Sequence, residues 1–100
     1  MTAQASFEQV VAPVGPQNPR NSEAAIVPLT DGALLLAWTE FYAASGDDHG
    51  PARLVRRLSR DGGRSWEAKA TLVDNDGGCN IMEVNFLRLK DGRLALIYCQ

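Results

Sequence analysis

The sequence of 100 residues lacks a dominant charge, a long apolar run and a set of residues that could hold a metal ion. Its formal net charge of -2 leaves no electrostatic footprint for nucleic acid or an anionic membrane. No apolar run approaches the ~18 residues that a membrane-spanning helix needs. One histidine, His49, and two cysteines, Cys79 and Cys99, are too few for a zinc site. The expected partners therefore include neither nucleic acid nor a membrane, and no cofactor is predicted.

Two further absences concern metal and location. The stretch DNDGG at residues 74–78 lacks the later ligands and the closing Glu of a calcium loop, which favours a polar turn. The N-terminal stretch MTAQASFEQVV has neither the charged region nor the apolar core of a secretory leader. We therefore expect a cytoplasmic chain, in which both cysteines stay reduced as small, buried or half-buried thiols.

The sequence repeats itself at a spacing of sixty residues, and no helical periodicity is long enough to predict a helix. Residues 23–40 align without a gap on residues 83–100, with six identities in eighteen positions. Each copy consists of two short apolar runs around an Asp-Gly pair, Asp31-Gly32 and Asp91-Gly92. Asp-Gly between such runs predicts a hairpin, because Gly accepts the positive φ that the turn demands.

The pattern predicts an all-β chain of six antiparallel strands. The run ALLLAWTEF is so continuously apolar that it predicts a strand buried on both faces. The predicted strands cover residues 24–29, 33–41, 52–59, 66–73, 84–90 and 93–99. Four-stranded meanders at a fixed period are typical of a β-propeller. A sandwich of six short strands is the competing interpretation, but it does not explain why the repeat is four strands long.

A division of the chain follows from the repeat. Residues 1–19 form an N-terminal segment, residues 20–75 a first blade, and residues 76–100 the start of a second. A propeller needs ~4–8 blades to close, and one blade alone exposes both of its faces. We therefore expect either a fragment of a longer protein, which we favour, or copies that assemble to complete a ring.

The stretch SRDGGRSW, residues 59–66, predicts a stapled hairpin turn. The Asp61 carboxylate can accept hydrogen bonds from N–H groups one to three residues on, and Ser59 can bond to the same turn. Gly63 supplies positive φ, and Trp66 covers apolar area that the short strands cannot cover.

This stretch resembles the Asp box, the hairpin motif that recurs around the six-bladed propellers of the sialidase superfamily. The resemblance extends over residues 18–100, because Arg20 precedes an apolar strand, an acidic loop follows, and Arg56-Arg57 comes just before the box. It implies that the box lies on the outer rim, far from the substrate. It also implies an exo-acting glycoside hydrolase that releases a terminal sialic acid or a related acidic sugar.

The resemblance implies roles for individual residues. Arg20 would be one of three arginines that bind the substrate carboxylate, and Asp47 would be the general acid/base, with Asp48 as its rival. A tyrosine nucleophile and the glutamate that serves as its base would lie beyond residue 100. Where sialidases carry Arg-Ile-Pro, this chain has Arg-Asn-Ser-Glu at 20–23. Glu23 would then either pair with Arg20 or act as a further functional carboxylate. Glu83, its counterpart in the second copy, would share the second of these roles.

Two other interpretations stay open. A non-catalytic Asp-box propeller that binds a glycan or a protein partner fits the composition and fold equally well. The second interpretation is a hydrolase that keeps the same scaffold but acts on a different sugar. The sequence does not specify the linkage cleaved or the oligomeric state, and it predicts His49 as a solvent-facing residue.

Overall fold

The computed structural model describes residues 6–100, so the first five residues of the predicted N-terminal segment lie outside the described residues. Six β-strands make up the regular structure of this part of the chain, in which no helix occurs. In chain order they are β1 Arg20–Pro28, β2 Leu34–Phe41, β3 Ala52–Ser59, β4 Ala70–Val73, β5 Met82–Arg88 and β6 Leu94–Cys99.

The strands form two antiparallel sheets. The first has the order β1-β2-β3-β4, and the second contains β5 and β6. The prediction of an all-β chain with six strands in this order is therefore confirmed. The predicted turns are also confirmed, since Gly32 and Gly92 have φ of 88° and 89°.

Three predicted strand starts are wrong by two residues or more, those of β1, β4 and β5, the last of which begins at Met82 and not at residue 84. β1 begins at Arg20 and not at residue 24, because a bulge between Ser22 and Ala25 lets the polar residues 20–22 continue the pairing with β2. β4 begins at residue 70 and not at 66. The Glu67 N–H still donates to the Leu58 carbonyl at 2.7 Å, but the carbonyls of Trp66 and Glu67 accept hydrogen bonds from the Arg57 guanidinium, and the regular pairing with β3 begins at Ala70.

The sixty-residue repeat is present in the structure at the level of strand register. Pro28 pairs with Leu34 as Arg88 pairs with Leu94, and the bulge of β1 recurs at the same position in β5. The bulge residues Glu23 and Glu83 both have positive φ, 41° and 65°. A left-handed conformation at a non-glycine residue is strained, so its recurrence sixty residues later is a specific mark of one unit built twice.

The core lies between the two sheets. Ala37 and Leu54 of the first sheet pack with Val84 of the second and with Ile81, which lies just before β5, and all four are almost completely buried. Two hydrogen bonds connect the sheets across this core: Ile81 N–H donates to the Ala52 carbonyl, and Glu83 N–H donates to the Thr39 hydroxyl. The second unit therefore stacks on one face of the first in a defined orientation.

The opposite face of the first sheet is partly covered by the segment that precedes β1. The Arg57 guanidinium donates to the Val11 carbonyl at 2.7 Å, and the Asn21 amide donates to the Ala12 carbonyl at 2.9 Å. Asn18 then joins this segment to the end of β2 by donating to the Phe41 carbonyl at 2.7 Å.

Candidate functional site

Arg20 lies at the first position of β1, at the end of the sheet where β2 ends and β3 begins. Its guanidinium stacks over the Phe41 ring, 4.4 Å from the centroid, and it donates to the Gly46 carbonyl at 3.2 Å. Stacking on an aromatic ring limits the rotamers of the long side chain. Since the Arg20 side chain is 34% exposed, the charge is fixed in place and still open to solvent.

The predicted acidic loop, residues 42–51, connects β2 to β3 at this same end. Asp47 forms a tight turn within it, because its carboxylate accepts the His49 N–H at 2.8 Å and its carbonyl accepts the Gly50 N–H at 2.8 Å. The Asp47 side chain is 72% exposed, and that of His49 is 91% exposed. The prediction of a solvent-facing His49 is confirmed.

Asp48 forms an ion pair and a hydrogen bond with Arg20. The hydrogen bond from Arg20 and its positive charge hold the pKa of the Asp48 carboxyl below its ordinary value. The same contact raises the pKa of the Arg20 guanidinium. Two residues that the sequence predicted separately, twenty-eight positions apart, are thus joined directly.

The second unit holds the acidic loop from the other side. Asn80 precedes β5 and donates through its amide to the carbonyls of Asp48, at 2.8 Å, and Gly50, at 3.1 Å. The neighbouring Cys79 thiol donates to the His49 carbonyl at 3.0 Å. The backbone of residues 48–50, directly after Asp47, is therefore anchored, while the side chain of Asp47 remains exposed.

Glu23 lies close to this group without pairing to Arg20. Its carboxylate accepts a hydrogen bond from the Ser22 hydroxyl, and the residue is exposed at the strained bulge of β1. Its counterpart Glu83 accepts a hydrogen bond from the Cys99 thiol at 3.1 Å, which raises the pKa of that thiol. Of the two sequence alternatives for Glu23, the structure does not contain the ion pair with Arg20.

The Asp box lies at the opposite end of the sheet, in the turn that connects β3 to β4. The Ser59 hydroxyl accepts the Gly63 N–H at 2.8 Å and donates to Asp61 at 2.9 Å. The Asp61 carboxylate accepts the backbone N–H of Ser65, four residues on and one beyond the predicted range, at 2.9 Å, as well as the Ser65 hydroxyl. The Trp66 indole packs against Gly63 and donates to its carbonyl at 3.1 Å. The predicted staple is present, and sequence reasoning missed Ser65 as its fifth member.

This turn gives the chain an acid-sensitive element. Hydrogen bonds from the Ser65 hydroxyl and backbone, and from Ser59, lower the pKa of Asp61 to about 2. A depressed folded-state pKa means that the contribution to stability is complete above the unfolded pKa and is lost as the pH falls towards 2. We expect wild type to lose free energy of unfolding more steeply between about pH 4 and pH 2 than Asp61→Asn. Urea unfolding across this range measures the difference.

Asp74→Asn provides the control for this prediction, because the Asp74 carboxylate accepts its contact from the adjacent residue and is not part of the staple. Its pH profile should follow that of wild type. Identical acid profiles for wild type and Asp61→Asn would contradict the role given to the staple.

A buried carboxylate that sequence reasoning missed lies in β2. Glu40 is only 1% exposed, and it is held between Arg53, at 2.9 Å, and Lys69. Burial raises the pKa of Glu40, but the hydrogen bonds from Lys69 and Arg53 outweigh it, so that the pKa lies below its ordinary value. Arg53 also stacks over the Tyr42 ring at 4.5 Å. The sequence did contain a signal for this ion pair. Glu40 lies inside an apolar run that predicts a buried strand, and a buried charge requires a partner of opposite charge.

The prediction of buried or half-buried thiols is wrong, since Cys79 and Cys99 are both exposed. Cys79 lies in the connection before β5, and Cys99 is the last residue of β6, at an end of the second sheet. Neither position lies in the core between the two sheets. The two thiols carry no disulfide.

Comparison with protein-family models, with curated proteins and with solved structures gives no match to this chain. In the part of the chain that the structure describes, no helix is long and apolar enough to cross a membrane. Within residues 6–100, no group of three His, Cys, Asp or Glu side chains is arranged to hold a metal ion.

Proposed function

We propose that this chain forms part of a sialidase-like β-propeller whose activity is the release of a terminal sialic acid, or a related acidic sugar, from glycoconjugates. One observation carries the proposal: Arg20 and the acidic loop meet at one end of the first sheet, while the Asp box lies at the other. The resemblance to sialidases requires this separation of a carboxylate-binding end from a structural end.

The repeat and its stacking support the propeller. A four-stranded antiparallel unit is followed by a second that starts with the same hairpin, bulge and turn. The second unit packs face to face on the first, as successive blades do. A sandwich of six strands offers no reason for the conserved register of β1–β2 in β5–β6.

Arg20 is the group that binds the ligand carboxylate in this proposal. A guanidinium matches a carboxylate with a planar pair of donors and stays charged at every physiological pH. In the structure the Arg20 guanidinium is paired with the Asp48 carboxylate. A ligand carboxylate that binds to Arg20 therefore has to replace the carboxylate of Asp48. Because both partners are substantially exposed, this exchange costs little.

Asp47 suits general acid/base chemistry better than Asp48. An acid that donates a proton to a leaving group near neutral pH needs a raised pKa, whereas Arg20 lowers that of Asp48. The Asp47 carboxylate accepts the His49 N–H and lies 3.7 Å from the His49 imidazole, and it forms no ion pair with an arginine among the described residues. Glu23, exposed at the strained bulge beside Arg20, is a further ligand contact in the proposal.

The exposed thiols Cys79 and Cys99, which form no disulfide, support a cytoplasmic location for the protein.

We keep one alternative function, a propeller that binds a glycan without cleaving it. The same arginine and loop would serve that role.

The binding test uses N-acetylneuraminic acid and its methyl ester, which lacks the negative charge. Wild type should bind the acid about tenfold or more tightly than the ester, because a hydrogen bond between charged groups contributes about 1.5–3 kcal/mol. Arg20→Ala should bind both equally weakly. NMR titration of the backbone N–H groups of residues 20 and 46–50 measures both affinities.

Arg64→Ala is the matched control for this test. Arg64 also stacks on an aromatic ring, 5.0 Å from the centroid of Phe7, but it lies at the Asp-box end. It should bind the acid as wild type does. Equal affinities of wild type for acid and ester would exclude Arg20 as the carboxylate site.

A further inference from the structure

A cavity lies between the first sheet and the segment that precedes β1. It has a volume of about 180 Å³, and its wall contains Val11 and Ala12 of the segment together with Leu36 and Trp38 of β2. Residues 21–24 of β1 complete the wall. An apolar cavity of about 150 Å³ already accommodates a ring the size of benzene, so this one has room for a small molecule.

The segment is a defined part of this wall. The Arg57 guanidinium donates to the Val11 carbonyl at 2.7 Å, and the Asn21 amide donates to the Ala12 carbonyl at 2.9 Å. Both donors are side chains of the first sheet, so the backbone of the segment is held at a fixed position above the sheet. The cavity therefore belongs to the fold of the first unit.

Among the described residues, none accepts a hydrogen bond from the indole N–H of Trp38. Trp38 lines the cavity and is only 3% exposed, so this N–H is shielded from water. The indole N–H of Trp66, by contrast, donates to the Gly63 carbonyl. A buried donor without an acceptor is unfavourable, and buried polar groups in folded proteins are nearly always paired. A molecule in the cavity that carries an acceptor would supply the partner of the Trp38 N–H.

The charges around the cavity favour a neutral ligand. Glu23 is the charged member of its described lining, to which no Lys, Arg or His belongs. The Glu23 carboxylate repels an anion, and an ammonium group offers only donors where Trp38 requires an acceptor. The ligand therefore differs in class from the carboxylate that we assign to Arg20.

We propose that this cavity is a binding site for a small neutral molecule with an apolar body of about six heavy atoms and one hydrogen-bond acceptor, a carbonyl oxygen or an aromatic ring nitrogen. The acceptor receives the hydrogen bond of the Trp38 indole N–H, and the apolar body packs against Val11 and Leu36. An apolar wall with few convergent polar groups is the usual composition of small-molecule sites. Neither Arg20 nor the acidic loop lines the cavity, so the proposal does not depend on whether the protein cleaves a glycan.

Pyridine and benzene are the probes, because they have the same shape and only pyridine, in its neutral form, carries an acceptor. Both should bind with Kd values of about 0.1–10 mM. In an NMR titration of wild type, pyridine should move the Trp38 indole proton further downfield than benzene does, because it forms a new hydrogen bond. The Trp66 indole proton is the internal control, since it is already bonded to the Gly63 carbonyl, and it should stay in place with both probes.

Trp38→Phe tests the hydrogen bond itself, because Phe keeps an aromatic ring and removes the donor. The space that the smaller ring leaves affects the two probes alike, so the ratio of their Kd values isolates the acceptor. Relative to benzene, pyridine should bind about tenfold less tightly to Trp38→Phe than to wild type, which corresponds to the loss of one hydrogen bond. An unchanged ratio would mean that the indole is not the polar contact, which would overturn the proposal.

Ala24→Leu tests the location, because it places a larger side chain at the exposed edge of the cavity. It should weaken the binding of both probes about tenfold or more, since little free space remains. Ala68→Leu is the matched control: it makes the same change at an exposed residue outside the cavity wall and should bind both probes as wild type does. A wild type that binds neither probe, or an Ala24→Leu variant that binds both as tightly as wild type, would exclude the site.

Near-UV circular dichroism verifies the fold of every variant. If Trp38→Phe does not fold, the titration of wild type decides alone. A larger downfield shift of the Trp38 indole proton with pyridine than with benzene then supports the proposal, and equal shifts overturn it.

Discussion

Replacing both cations that hold Glu40, in the double variant Arg53→Met and Lys69→Met, is expected to lower the free energy of unfolding by about 3–5 kcal/mol. The Glu40 side chain is 2% exposed, so its charge cannot be solvated by water once its partners are removed. A single domain is stable by about 5–15 kcal/mol, so this loss is a large part of the total. Urea unfolding at pH 7 measures it.

A triple variant separates the charge from the packing. When Glu40→Met is added, no buried charge remains, and most of the lost stability should return because apolar replacements of a buried ion pair are often neutral or stabilising. Arg60→Met is the control for an exposed pair, since Arg60 and Glu67 are at least half exposed, and it should change stability by at most about 1 kcal/mol. If the triple variant is no more stable than the double, burial of an unpaired charge is not the cause.

Glu40 also shows what the sequence could not supply. The pattern predicted its strand correctly, because apolar runs around an Asp-Gly pair are local signals. Which of the arginines in β3 would face Glu40 depends on the register of β2 against β3, where Glu40 pairs with Arg53. Lys69 reaches it from the connection before β4, and the local pattern contains no sign of that contact.

The same distinction between local and long-range information applies to the candidate site. The Asp box could be predicted almost completely, since Ser59 and Asp61 form their hydrogen bonds within seven residues. The sequence did not predict that Arg20 lies in a strand, because the polar residues 20–22 show no strand pattern. The bulge at Glu23, which lets these residues pair with β2, is a backbone conformation that the residue types do not indicate. The ion pair between Arg20 and Asp48 joins distant segments and follows only from the sheet.

Replacing Asp47 by Ala is expected to lower kcat for a sialoside by about 10²–10⁴-fold and to leave KM nearly unchanged, in the protein as its gene encodes it. The expectation follows from the proposed role, in which Asp47 gives its proton to the leaving oxygen and later accepts one from water. The loss should be larger for a sugar leaving group than for a fluorogenic aryl group, because an acidic leaving group needs less protonation. Steady-state kinetics with sialyl-lactose and an aryl sialoside measure both.

Asp48→Asn is the matched control, because Asp48 lies next to Asp47 and its proposed position on Arg20 is vacated by the ligand. This variant should lower KM, because Arg20 no longer has a carboxylate that competes with the ligand. It should keep kcat within about tenfold of wild type. A large loss of kcat in Asp48→Asn with little change in Asp47→Ala would exchange the two roles. If neither change affects turnover, or if wild type binds the sugar without cleaving it, hydrolysis by this loop is excluded. Binding without cleavage would favour the alternative function, a propeller that binds a glycan through the Arg20 guanidinium, which stacks on Phe41.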